Sequence, residues 1–272
     1  MNKLELKRIR MDFVRKKQTV QVLSDISLHV GEGEFVTIIG PSGSGKSTLF
    51  HLIGGLLTPT EGDIVLDGQR VNGVRGLISY MPQQAALLPW RSIEDNVVLA
   101  QEVAGIPRDK ALAAARDWIP KVGLSGYEKE YPHVLSGGMQ QRVSFLRALL
   151  SPQEMMCLDE PFASLDALTR QDMQSWLLNL WEQNQRSVLF VTHSIEEALY
   201  LSDRIYMFSN QPTKVLLELE VPFPRPRSES VMTELSFQQL RQQIYDSMKL
   251  QQRPTHNEGG GDYTDITYAE SH

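Results

Sequence analysis

The nine residues Gly40-Pro41-Ser42-Gly43-Ser44-Gly45-Lys46-Ser47-Thr48 constrain this chain more than any other stretch. They fill every fixed position of G-x-x-x-x-G-K-[ST], a loop whose glycines let backbone N–H groups close around a polyphosphate. Phe35-Val36-Thr37-Ile38-Ile39, just before it, is an apolar, β-branched run that predicts a buried strand. Leu49-Phe50-His51-Leu52-Ile53, just after it, predicts a helix whose N-terminal dipole faces the phosphates. A glycine-rich turn that merely ended in Lys-Ser would need neither flank. In this setting Lys46 reaches the β- and γ-phosphates, and the Ser47 hydroxyl ligates Mg²⁺.

The rest of the composition sets limits. With 272 residues the chain can bury a substantial core, and 41% hydrophobic with 22% charged residues is ordinary for a soluble globular protein. A net charge of −6 argues against general nucleic-acid binding. The basic N-terminus (Lys3, Lys7, Arg8, Arg10, Arg15, Lys16, Lys17) alternates with apolar residues and has no signal-peptide core, so it reads as a strand with one solvated face. A single cysteine, Cys157, excludes an internal disulfide and suits a reducing compartment; it lies in an apolar run, where a packed side chain is expected. No apolar stretch is long enough to span a bilayer, so work at a membrane would need other chains to cross it.

Along the chain, Leu4-Glu5-Leu6, Val20 to Leu23 and Ile26 to Val30 predict strands, and Asp63 to Val71 predicts a hairpin turning at Asp67-Gly68. The middle third predicts helices: one capped by Ser92 over Ile93 to Leu99, one from Arg108 to Val122 ended by Gly123, and one from Gly137 to Leu150. Met155 to Leu158, Val188 to Thr192 and Arg204 to Phe208 then predict strands that alternate with helices, and hence a parallel sheet with right-handed crossovers. Met173, Trp176, Leu177, Leu180 and Trp181 follow helical spacing, which predicts that both tryptophans pack against that sheet. Pro222 to Arg227 excludes helix or interior strand, and a last helix is expected over Phe237 to Leu250. From Gln252 to His272 the composition predicts disorder.

Two further segments carry chemistry. Leu158-Asp159-Glu160 ends a buried strand, where Asp159 can hold Mg²⁺ and Glu160 can polarise an attacking water. Leu135-Ser136-Gly137-Gly138-Met139-Gln140-Gln141-Arg142 opens a helix with free N–H groups, a second anion site on the same chain.

That octet resembles the signature of ATP-binding-cassette ATPases, and the resemblance covers roughly residues 3–250. It implies an α/β P-loop NTPase (RecA-like) core, about residues 1–84 and 152–221, with an N-terminal antiparallel β subdomain. An inserted α-helical subdomain would cover about residues 85–151 and a C-terminal helix about 236–250, all in one domain over 1–251. Gln83 is similar to the family's Q-loop glutamine, Ser164-Leu165-Asp166 to its D-loop and His193 to its switch histidine; Phe13 is the candidate to stack on adenine. Ala163-Ser164 departs from the Gly-Ala often found there.

Leu87-Leu88-Pro89-Trp90, Pro161 to Arg170 and the Pro-Arg-Pro-Arg of 224–227 resemble nitrate/sulfonate/taurine-type importers. The resemblance implies ATP and Mg²⁺, with Ser47, Gln83 and Asp159 at the metal and Glu160, His193, Gln83 and Lys46 at the chemistry. It also implies a head-to-tail homodimer in which Ser136, Gly137, Gly138 and Asp166 serve the partner's ATP. A peripheral place for this chain at the cytoplasmic face of the cell membrane, two integral-membrane permease subunits as partners, indirectly an extracytoplasmic solute-binding protein, a small anionic solute and no nucleic acid complete that expectation. An export ATPase and a soluble ABC ATPase acting on DNA or ribosomes are the alternatives; the second usually has two cassettes or a coiled-coil insertion.

Overall fold

Period-two alternation builds the N-terminal strands of this computed structural model, which describes residues 1–15 and 18–252. Strands β1 (Asn2–Arg15) and β2 (Gln18–Gly31) pair antiparallel, β1 also pairs with β4 (Glu61–Leu66), and β4 with β5 (Gln69–Arg70). The two runs expected at Val20 to Leu23 and Ile26 to Val30 are therefore one strand. Its register against β1 shifts where Arg8 (φ 53°) and Asp25 (φ 57°) turn left-handed, and this interrupts the alternation that would reveal its length. The expected hairpin is present: Asp67 (φ 50°) and Gly68 (φ 75°) supply the two left-handed residues of a two-residue turn.

The second sheet holds β3 (Phe35–Ile39), β6 (Ser79–Met81), β7 (Met155–Asp159), β8 (Ser187–Thr192), β9 (Arg204–Phe208) and β10 (Val215–Glu220) in the order β10-β9-β3-β8-β7-β6. All its pairings are parallel except that of β10 with β9. Both β6, too short for a period, and the mostly exposed edge strand β10 escape the sequence reading.

Every residue of β3, β7 and β8 is buried because both faces of this sheet are covered. Toward the N-terminal sheet and α1 (Lys46–Ile53), Val36, Ile38, Cys157, Leu189 and Val191 pack with Leu4, Ile26 and Phe50. Burial raises the pKa of the Cys157 thiol and keeps it in its neutral form, as its apolar run predicts. On the other face, Phe35, Leu158 and Phe190 meet α6 (Ala167–Asn184), α7 (Ile195–Leu201) and the helical insertion. Trp181 stands edge-on to Phe35 at 5.8 Å, as expected of a sheet-packing side chain. Trp176 does not: it turns edge-on to Trp118 and Phe145 of the helical insertion.

That insertion contains α2 (Ile93–Val97), α3 (Leu99–Val103), α4 (Arg108–Trp118) and α5 (Gly137–Leu149). Ser92 caps α2, its hydroxyl accepting from the Asp95 N–H at 3.3 Å. The helix expected to reach Val122 stops at Trp118, since Pro120 cannot donate within a helix; a short 3₁₀ turn carries the chain to Gly123.

After β10, residues 222–227 lie outside helix and strand and pack on α6 and the end of α7. Arg225 lies over the Trp181 ring at 4.0 Å and pairs with Asp203 at 2.7 Å. The buried Arg227 donates to the carbonyls of Leu199, Tyr200 and Ser202 at the end of α7, and burial lowers its pKa to about 10. Helix α8 (Leu235–Gln252) follows and packs on α7. Gln252, assigned to the tail by sequence, thus belongs to this helix; residues 253–272, like Lys16 and Lys17, lie outside the described residues.

Candidate active site

The loop Gly40–Thr48 joins β3 to α1 as expected, and its shape follows from what surrounds it. Gly45 precedes α1 at φ 83°, and a Cβ there would stand 2.9 Å from Val22 Cγ1 and 3.0 Å from Leu23 Cδ2. Only glycine lets β2, in its antiparallel pair with β1, press so closely on the loop. Two residues that sequence reasoning did not single out also hold the loop. Gln211 donates to the Gly43 carbonyl at 2.6 Å and Thr213 to the Ser44 carbonyl at 2.5 Å. The Thr213 backbone also bonds Val22 and Ser24, so one threonine pins hairpin and loop together. Asn210 to Thr213 reads as an ordinary turn, and no sequence signal marks it.

Lys46 is 7% exposed and donates to the carbonyls of Gly40 (2.9 Å) and Pro41 (2.8 Å). Burial lowers its pKa, against the opposing pull of Glu160 and Asp159. Asp159, at the end of β7, is buried as well; desolvation raises its pKa, only partly offset by the hydrogen bond from Ser47. A carboxylate and an ammonium held short of full solvation gain from an incoming polyphosphate–cation pair, which supplies the missing charges.

Two segments distant in sequence, around Gln83 and around His193, converge on Glu160. Its backbone is left-handed (φ 48°), a conformation that costs about 1–2 kcal/mol outside glycine, and its N–H donates to the Val191 carbonyl at 2.9 Å. Gln83 Nε2 donates to Glu160 Oε2 at 3.0 Å, and His193 Nδ1 lies 3.6 Å from the same oxygen. Gln83 is itself held by α5, where Gln141 donates to its carbonyl at 3.0 Å; Arg147 donates to the carbonyls of Ala85 and Ala86. Neither Gln141 nor Arg147 has a sequence signal of its own beyond the octet and its helix.

Ser136 caps α5, its hydroxyl accepting from the Met139 N–H at 3.3 Å. A Cβ on Gly137 would meet open space, whereas one on Gly138 would sit 3.2 Å from Leu165 Cδ2. Asp166 caps α6 by accepting from the Thr169 N–H. The signature thus lies beside Ser164 and Leu165, and among the described residues its members make no hydrogen bond to residues 40–48. Phe13 is half-buried on β1 opposite Val20, on the hairpin whose Val22 touches Gly45.

The residues fit a nucleotide. The Ser44 hydroxyl is buried without a hydrogen-bond partner inside the loop, and the first-turn amides of α1 have no intrahelical acceptor. No group of three or more His, Cys, Asp or Glu among the described residues could hold a metal by itself. Ser47 and Asp159 alone suit an ion that takes its other ligands from phosphate and water, as Mg²⁺ does.

Comparison with known proteins agrees with this geometry. Residues 23–163 match the protein-family model described as ABC transporter. The chain belongs to the ABC transporter family. It is 48% identical over 218 residues to the formylaminopyrimidine import ATP-binding protein ThiZ of Halalkalibacterium halodurans, covering 80% of this chain and 85% of that protein. It is 42% identical over 233 residues to the aliphatic sulfonates import ATP-binding protein SsuB of Bacillus cereus, covering 85% and 90%. Among solved structures, the ATP-binding cassette MJ0796, a dimeric post-hydrolysis state bound to ADP and Pi, matches with a TM-score of 0.73 and 30% identity over 81% of this chain and 100% of that one. This ABC protein is an ATPase with a P-loop NTPase core, an antiparallel β subdomain and a helical insertion. No helix among its described residues is long and apolar enough to cross a membrane.

Proposed function

We propose that this ABC ATPase is the energy-coupling subunit of an importer for a small polar solute, sulfonate-like anions included. In this reading it works as one ATPase domain in a head-to-tail homodimer, at the cytoplasmic face of a membrane crossed by two permease subunits. An extracytoplasmic solute-binding protein would deliver the solute. The import names of the sulfonate and formylaminopyrimidine relatives support uptake over export.

The convergence of Gln83 and His193 on the Glu160 carboxylate, beside Lys46, Ser47 and Asp159, carries the catalytic reading. Lys46 would leave the Gly40 and Pro41 carbonyls for the phosphates, joined by the amides of Ser42 to Thr48 and the unpartnered Ser44 hydroxyl. Ser47, Asp159 and Gln83 would hold Mg²⁺. Held there, the ion would supply positive charge to offset that of the phosphates. Glu160 would accept the proton of the attacking water while Gln83 and His193 orient it. Phe13 would stack on the adenine from the hairpin.

Ser136, Gly137, Gly138 and Asp166 would act on the partner's nucleotide, because Ser136 and its glycines make no hydrogen bond to this chain's own loop. Mixing two inactive variants tests this. Lys46→Ala and Ser136→Arg proteins should each fail to hydrolyse ATP, while the mixture regains turnover because each mixed dimer contains one intact loop facing one intact signature. No recovery in a mixture shown to form mixed dimers would refute the in-trans assignment.

A further inference from the structure

We propose that Glu197 is a positioning residue for ATP hydrolysis, tying the His193 loop to α6 so that Leu165 and Asp166 share one frame with the imidazole. This rests on the reading that His193 works at the reacting phosphate.

His193 is exposed, yet both of its neighbours are tied down. Thr192 Oγ1 donates to Glu197 Oε2 at 2.5 Å and accepts from the Ser194 N–H at 3.0 Å; Ser194 Oγ accepts from the Glu197 N–H at 3.2 Å. These three bonds close a ring beneath the histidine. The other carboxylate oxygen of Glu197 leaves the ring and accepts from Gln174 Nε2 on α6 at 2.9 Å, with both side chains 7% exposed.

One helical turn before Gln174 on that helix, Arg170 Nη2 donates to the Leu165 carbonyl at 2.8 Å. Leu165 in turn packs on Gly138 of the signature, and Asp166 caps α6. A chain of packing contacts and hydrogen bonds therefore links the signature and Leu165 through α6 to the two neighbours of His193, whose ring lies 3.6 Å from Glu160. A plain helix cap does not explain Glu197. Ser194 already supplies that cap, and a buried carboxylate is an expensive way to add another bond.

Single-turnover hydrolysis and the ATP KM should be measured for Glu197→Ala, Glu197→Gln, Thr192→Val and Gln174→Met, each alone and combined with His193→Ala. With His193 present, Glu197→Ala should slow turnover on the order of 10- to 100-fold with KM nearly unchanged, as expected when a catalytic group is misplaced by about an ångström. Glu197→Gln should recover much of that loss, since its amide can accept from Thr192 and bond a flipped Gln174 amide. In the His193→Ala background none of these changes should slow the residual rate further. Equal losses with and without His193, or a KM effect alone, would overturn the proposal. If Glu197→Ala does not fold, Thr192→Val and Gln174→Met carry the same comparison. Wild-type turnover of His193→Ala itself would instead overturn the reading of His193 on which the proposal stands.

Discussion

Replacing Glu160 with Gln separates the chemistry of the proposed site from its architecture. The amide keeps an oxygen that can accept from Gln83 Nε2, now 3.0 Å from the carboxylate, and the left-handed backbone at φ 48° costs Gln as much as Glu. Folding stability should therefore change by no more than about 0.5 kcal/mol, the range of substitutions that break no buried feature. For a chain of this size that is a shift in Tm of roughly 1–2 °C. The proton acceptor, by contrast, is gone, and a positioned general base contributes about 10²–10⁴ in rate, or roughly 3–5 kcal/mol of barrier. Phosphate release should fall by that factor while ATP still binds, so size-exclusion chromatography with ATP and Mg²⁺ should show a dimer that wild-type protein does not accumulate. A rate loss under about tenfold would refute the assignment of the base. A Tm drop well beyond the expected shift would show instead that the carboxylate is part of the scaffold.

Gly45→Ala should destabilise the nucleotide-free protein by about 2–5 kcal/mol, combining a non-glycine residue at φ 83° with a Cβ pressed against Val22 and Leu23. A thermal melt that matches wild type would refute the close packing of hairpin on loop. Asp159→Asn should raise the Tm of the nucleotide-free protein near pH 7, because burial raises the Asp159 pKa and the folded state there holds a disfavoured charge. That penalty is present above the raised folded value and disappears as pH falls toward the ordinary 3.8, so the Tm difference should shrink over the same window. Destabilisation of Asp159→Asn at neutral pH would contradict the burial argument.

Much of this protein is determined by short contiguous stretches. The loop Gly40–Thr48, the pair Asp159-Glu160 and the octet Leu135–Arg142 are legible because their chemistry depends on local backbone: a glycine turn into a helix, the end of a buried strand, a capped helix start. The parallel core is legible for a similar reason, since strands buried on both faces leave unbroken apolar runs.

Tertiary structure alone decided the rest. Gln83 reaches Glu160 across 77 positions, and Thr213 reaches Ser44 across 169; such bonds leave no period or composition in the sequence. Edge strand β10 is apolar in sequence (Val215, Leu216, Leu217, Leu219) yet mostly exposed, and it joins the sheet only through its antiparallel pairing with β9; Trp176 shares the helical spacing of Trp181 but faces the helical insertion that only the folded chain brings there. The ring around His193 lies in a stretch that reads as strand and helix; its link to α6 exists because Gln174 and Glu197 are buried against each other. Local patterns thus carry the parts of the phosphate site. Packing decides how those parts face one another, because a hydrogen bond between distant segments depends on where the core sets them down.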